Sequence, residues 1–294
     1  MNLKIAKNLN EYIEIIDDLK QQNQNLWYRG MSDATYSLIP SLFREYSVIG
    51  LNHSGREING RYYRKSEAIM KSDLAAIDTF IKYYNDFFPD KCKNYNLADY
   101  LYVMQHYDIQ TRLLDFSRNE LTALYFSVAT TAKINKSNEN DEIEDFLKNN
   151  GHSDKGSSVH IIDPIFTNKN TNEFINIKDD ILNIDNIKID TLSKIYHPIC
   201  IETKNEDPRI VNQNGVFMLF GISYIPYEGY DIFNSKTVKI FIPNSCRDQI
   251  KNELREKYKI SHSTIYPDIK GIALEITDEI EKKYITDCKS VFDN

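Results

Sequence analysis

Residues 117–132, SRNELTALYFSVATTA, constrain the fold more than any other segment. Leu121, Leu124, Tyr125, Val128, Ala129 and Ala132 recur at helical spacing, and no charge follows Glu120. A surface helix needs a polar face, so this one is predicted to be the central buried helix of the chain. Ser117 with Glu120 three residues on has the form of a capping box, which would start the helix there. The remaining chain must then supply apolar layers around it.

Those layers can be read off in order. Asn10 is expected to cap a first helix with Ile13, Ile16 and Leu19 inward, and Leu26 to Tyr28 reads as a short strand. Helices are expected from Ser72 and behind Asn96. Residues 133–157 turn polar and acidic and read as an exposed insertion. Beyond it, Val159–Ile162, Val216–Gly221 and Val238–Ile242 have strand composition. Ser245 with Asp248 is expected to cap a further helix, and a last helix is expected near Pro267. The expectation is an α+β fold: one compact domain, its helix-rich N-terminal half packed on a mixed or antiparallel sheet supplied mostly by the C-terminal half.

Composition narrows the function classes. At 294 residues the chain can bury roughly 75% of its extended surface, so it needs no staple. Its net charge of −7 opposes broad attraction to nucleic acid, although a local basic cleft is compatible with it. Cys92, Cys200, Cys246 and Cys288 are far apart, without a CxxC pair or a histidine at ligand spacing. They read as reduced thiols, and no metal site is expected. Without a secretory-type start or a membrane-length apolar run, a cytoplasmic protein with no membrane partner is expected.

Four constellations carry possible chemistry. Tyr28-Arg29-Gly30 ends a strand with a guanidinium fork and a permissive glycine, a combination suited to an anion. Its structural alternative is an ion pair beside a turn. Gln105 and His106 precede Thr111, Arg112 and Asp115, which stand around two leucines just before the buried helix. Charges so near a core need partners, so Arg112 and Asp115 are expected to bond each other or backbone groups, with ligand contact as the alternative. Arg209 and Gln213 lead into the strand from Val216. Tyr266-Pro267-Asp268 opens the last helix, where Asp268 suits the dipole.

The blocks YRGMSDATYSLIPSLFR (28–44) and MQHYDIQTRLLDFSRNELTALYFSVA (104–129) resemble the FRG domain, named for its aromatic-Arg-Gly motif. RIVNQNGVF (209–217) and residues 237–276 resemble its later blocks in the same order, so the resemblance spans about 24–276, between a helix at 1–23 and a helical tail at 277–294. Here Asp108-Ile109-Gln110 replaces a more usual Gly-Leu-Pro turn, and Phe116-Ser117 replaces Trp-Thr. The resemblance implies one site built from the motif residues, in a toxin or antiphage effector. Tyr28-Arg29-Gly30 also looks like the first core strand of ADP-ribosyltransferases of the Arg-Ser-Glu type. That likeness implies NAD held by Tyr28, Arg29, Gly30, Gln105, Thr111, Arg112, Arg209 and Gln213, with Asp115 and His106 as catalytic groups. The Ser-Thr-Ser strand of those enzymes has no counterpart, and Glu142 and Glu144 fall in the polar insertion. Two alternatives stay open. One is a non-enzymatic module sensing a nucleotide, nucleic acid or phage protein, or pairing with an antitoxin. The other is a metal-dependent nuclease using Pro267-Asp268 and Glu281-Lys282-Lys283.

Overall fold

The computed structural model describes residues 1–48, 56–58, 61–63, 65–92, 95–130, 138–171, 182–183, 192, 194–202, 207–223 and 225–292. The strands are β1 (Asn2–Ile5), β2 (Trp27–Met31), β3 (Arg56–Ile58), β4 (Arg61–Tyr63), β5 (Leu113–Ser117), β6 (Gly156–Ile162), β7 (Leu182–Asn183), β8 (Ile199–Glu202), β9 (Gly215–Leu219) and β10 (Val238–Pro243). The helices of the first half are α1 (Leu9–Gln22), α2 (Ser41–Val48), α3 (Lys65–Phe87), α4 (Leu97–His106), α5 (Glu120–Val128) and α6 (Glu139–Lys148). Those of the second half are α7 (Pro164–Thr171), α8 (Pro208–Gln213), α9 (Asp231–Asn234), α10 (Arg247–Tyr258), α11 (His262–Ile265) and α12 (Ile269–Phe292).

Among the described residues eight strands form one mixed sheet in the order β1-β10-β6-β2-β5-β9-β8-β7, and β3 and β4 form a separate hairpin. The edge pairs β1/β10 and β7/β8 are parallel, and the interior pairs are antiparallel. Five of the eight strands, β6 to β10, come from the second half, as the α+β expectation required.

Strand alternation sends Tyr28, Val159, Ile161, Ile240 and Ile242 to one face, where they pack on α1, α5 and α10 through Tyr12, Ile16, Leu124, Tyr125 and Ile250. Farther along that face, Leu113, Ile199, Phe217 and Leu219 pack on α3 and α4 through Ile77, Leu101 and Met104. Trp27, Met31, Leu114, Phe116, Val216 and Met218 fill the other face with Leu42, Phe43, Tyr227 and Phe233. In α5, Thr122 to Tyr125, Ser127 and Val128 are all buried, which bears out the central-helix reading.

Several local expectations are corrected. Ser117 belongs to β5, and α5 is capped by Asn119, whose Oδ1 accepts from the Leu121 and Thr122 amides. The Ser117 hydroxyl is drawn instead to the Gln213 carbonyl (2.6 Å) across the β5/β9 end. Asn8, not Asn10, caps α1. The third helix begins at Lys65, before Ser72. Ser245 does not cap α10; its amide and hydroxyl both donate to Glu142.

That bond also revises the exposed insertion. Residues 133–137 lie outside the described residues, but α6 packs back on the sheet edge with Phe146 stacked on Phe241 (4.2 Å between centroids). Glu142 and Phe146 are buried there. A polar sequence concealed one apolar anchor and one satisfied carboxylate. The cap expected at Asn96 is present, with reciprocal bonds between Asn96 and Asp99. Cys92, Cys200 and Cys246 are free thiols. Among the described residues no helix is long and apolar enough to cross a membrane.

Candidate functional site

The site originates in the way two central strands meet. β2 aligns with β6 over five residue pairs and β5 with β9 over five, but among the described residues β2 and β5 share one pair, Tyr28 opposite Ser117. From that point the strands part, and a cavity of about 420 Å³ opens between them, bounded by α4, α5, α8 and Tyr266. Its size is within the range of small-molecule pockets in general.

Asp115 is the exposed residue of an otherwise buried β5, its side chain 54% accessible. Gln105 on α4 donates to its Oδ1 at 2.6 Å, and Thr111 in turn donates to the Gln105 carbonyl at 2.9 Å. The Thr111 hydroxyl thus sets which end of the Gln105 amide faces the carboxylate. Arg29 Nη1 donates to the Asp115 backbone carbonyl and lies 3.7 Å from Oδ2. Burial pushes the Arg29 guanidinium down to about 10, against the pull of Asp115. Its Nε is buried without a hydrogen-bond partner.

Gly30 contributes by lacking a side chain. A Cβ there would stand 1.9 Å from the Ala123 carbonyl and 2.7 Å from the Ser127 amide. The glycine therefore admits the α5 backbone, whereas the sequence reading assigned that approach to an anion.

On the opposite wall, Arg209 Nε donates to Asp268 at 2.5 Å, and its guanidinium lies over the Tyr266 ring at 5.4 Å. That bond holds the Asp268 carboxyl below its ordinary value. Arg209 stands in the helical turn of α8, capped by Asp207, rather than in a strand approach. Asn214 in the left-handed conformation then turns the chain into β9. Gln213 bonds the Ile265 carbonyl at 3.3 Å. His106 meets Tyr102 and Tyr107 edge-on. Tyr102 donates to Asp207 at 2.8 Å, and burial with that bond raises its phenol.

Eight of the ten expected residues line this cavity: Tyr28, Arg29, Gly30, Gln105, His106, Asp115, Arg209 and Gln213. Thr111 stands behind Gln105, fully buried. Arg112 is also fully buried, bonded to Asp73 through Nε (2.7 Å) and Nη2 and to the Phe220 carbonyl. Arg112 and Asp115 do not bond each other: Arg112, just ahead of β5, is taken up by Asp73 and the Phe220 carbonyl, and Asp115 by Gln105 and Arg29. Burial raises the Asp73 carboxyl despite its arginine.

Arg44, Tyr36, Tyr102 and Phe126 also line the cavity and were not anticipated. Arg44 and Tyr36 lie in the 28–44 block, so a signal for them existed. Tyr102 and Phe126 lie within α4 and α5, outside the singled-out positions of those helices. Asp108, standing for the usual glycine, takes φ 60°, so the turn keeps its left-handed backbone.

Residues 24–136 match the family model described as FRG domain. No curated protein and no solved structure matches the chain. The matched segment contains Arg29, Gly30, Gln105, His106 and Asp115, while Arg209, Gln213 and Tyr266 reach the same cavity from beyond it. Residues 24–136 thus carry the similarity to the FRG domain, and Tyr28, Arg29 and Gly30 of that segment stand at the parting of the two central strands.

Proposed function

We propose that the cavity is a dinucleotide site and that the chain is an NAD-dependent ADP-ribosyltransferase-like enzyme, in the setting of a toxin or antiphage effector. The observation that carries this reading is the pairing of Arg29 with an accessible Asp115, whose carboxylate is oriented by Gln105. Arg29, with Arg44 and Arg209 on the same walls, offers forked donors to a pyrophosphate. Tyr36, Phe126 and Tyr266 offer ring faces to a base or nicotinamide.

The chemistry asked of Asp115 is electrostatic. As the C1′–N bond to nicotinamide breaks, nicotinamide leaves with the bonding electrons and the ribose takes oxocarbenium character. A fixed carboxylate beside it stabilises that charge. An acceptor oxygen or nitrogen then bonds to C1′, and its proton passes to Asp115 or His106.

A non-enzymatic sensor is the second reading. It is favoured by the acidic partners that Arg29 and Arg209 already hold, which engage part of the donor capacity a pyrophosphate would need. The nuclease reading lacks support: Asp268 is paired with Arg209, and Glu281 lies thirteen residues on along an unbroken α12, on the order of 20 Å away.

The test is mass spectrometry of the purified protein with NAD and cell lysate, alongside Asp115→Asn and Arg29→Ala. Nicotinamide release with a mass gain on an acceptor, lost in both variants, is the expected result. Bound but intact NAD with no modified acceptor would favour the sensor, and the absence of NAD binding would overturn both readings.

A further inference from the structure

The row of residues behind Arg29 contains a group that the reading above does not use. In the antiparallel register of β2 and β6, Arg29 lies directly opposite His160, and His160 lies opposite Lys239 on β10. Directly opposed residues project from the same face with their Cβ atoms about 5 Å apart. The three side chains therefore form one row across three strands.

His160 is fully buried, and neither ring nitrogen has a hydrogen-bond partner. The Nε of its neighbour Arg29 is equally buried and unpartnered. Lys239 has its own acceptor, the Ala34 carbonyl at 2.6 Å, and so does not call on the imidazole. A neutral imidazole carries one acceptor nitrogen, and a guanidinium Nε carries one donor. Buried polar groups rarely stay unpaired, and here a lone donor and a lone acceptor occupy cross-strand partner positions.

We propose that His160 is a positioning residue for Arg29: a side-chain rotation closes the bond that the structure leaves open, so that the imidazole accepts the Arg29 Nε–H and sets the plane in which the guanidinium faces the cavity. With Nη1 on the Asp115 carbonyl of β5, Arg29 then spans the parting of the strands and turns Nη2 to the ligand.

The identity of the acceptor matters. A carboxylate behind Arg29 would neutralise the charge that an anionic ligand needs, whereas a neutral ring fixes the guanidinium and leaves its charge intact. Burial, then Lys239, Arg29 and His152, hold the imidazole well below its ordinary value, so it stays neutral. The contribution to ligand binding rests on the nucleotide reading of the cavity; the Arg29–His160 bond does not.

The test uses the full chain with two readouts. ADP-ribose affinity is measured by calorimetry for wild type, His160→Leu and the acceptor-retaining His160→Asn. Each is repeated in an Arg29→Lys background, which keeps the charge but has no Nε–H. His160→Leu is expected to weaken binding about tenfold beside Arg29 and less than about twofold beside Lys, with His160→Asn largely restoring affinity. Equal losses in both backgrounds would overturn the assignment, since a purely structural role does not distinguish them.

The second readout needs no ligand. In ¹⁵N NMR spectra of the free protein, the Arg29 Nε–H should be slow to exchange and scalar-coupled to a His160 nitrogen. The protection should be lost in His160→Leu. An Arg29 Nε–H that exchanges freely in wild type, or a doubly protonated His160 ring at neutral pH, would sink the proposal. If ADP-ribose does not bind wild type, the cavity reading fails, and the NMR arm alone decides this one.

Discussion

Gly30 and Ala123 approach so closely that a methyl group on Gly30 would stand 1.9 Å from the Ala123 carbonyl oxygen. The glycine after Arg29 is thus a packing requirement of α5 on β2. Gly30→Ala must push the helix away from the strand that carries Arg29. We expect a loss of about 3 kcal/mol or more, since overpacking against backbone cannot relax by a rotamer change. Urea unfolding followed by circular dichroism measures it, and a loss below about 0.5 kcal/mol, the range of neutral surface changes, would contradict the packing account.

The Arg112–Asp73 pair predicts stability without ligand effects. Arg112→Met strips a buried carboxylate of the guanidinium facing it and should cost about 3–5 kcal/mol. Asp73→Leu combined with Arg112→Met should recover most of that loss, because no buried charge remains at the pair. Nucleotide affinity at the cavity should be unchanged in the double variant. A selective loss of affinity at full stability would return Arg112 to the site.

Thr111→Val tests the orientation of Asp115. The exchange keeps the buried shape but removes the hydroxyl that donates to Gln105. Stability should fall by about 1 kcal/mol. Under the transferase reading kcat should fall further than KM changes, because a rotated Gln105 amide no longer donates to Asp115. Unchanged kcat in a folded Thr111→Val protein would show that Gln105 is held in place by other contacts.

Lys239 predicts an alkaline rise in stability. Burial lowers its ammonium from 10.5 to about 8. Below pH 8 both states are charged and the folded state bears the full desolvation cost. Between about 8 and 10.5 the unfolded chain holds the proton that the folded chain has released, so stability rises with pH. The full span is worth up to about 3 kcal/mol. Buried tyrosines such as Tyr28 and Tyr125, raised by burial, act in the opposite direction once unfolded tyrosines ionise near pH 10. Comparing wild type with Lys239→Met between pH 7 and 9.5 isolates the lysine, and parallel curves would refute its assignment.

Local order was legible where one interaction decides it. The chargeless run Leu121–Ala129 could only be buried, and α5 is the helix on which β2 and β6 pack. The motif order placed Arg29, Gln105, Asp115 and Gln213 among the candidates, and they share one cavity. The competing caps were not separable in sequence. Asn119 and Ser117 both suit an N-cap, and the choice fell to Asn119 because β5 extends to Ser117, whose hydroxyl bonds the Gln213 carbonyl. Likewise the acidic 133–157 stretch shows no apolar period, yet Phe146 and Glu142 are buried by Phe241 and Ser245, a hundred residues away.

By itself the sequence determined the α+β class, the buried helix and eight of the residues that line the candidate site, because hydrophobic period and motif spacing are local properties. Tertiary structure alone decided which charges meet. Arg112 and Asp115 lie three residues apart yet take different partners, one Asp73 in the core and the other Arg29 at the cavity. It also decided that β2 and β5 part after Tyr28 and Ser117, and that His160 stands behind Arg29. Strand register is a long-range agreement among segments, and no single segment encodes it.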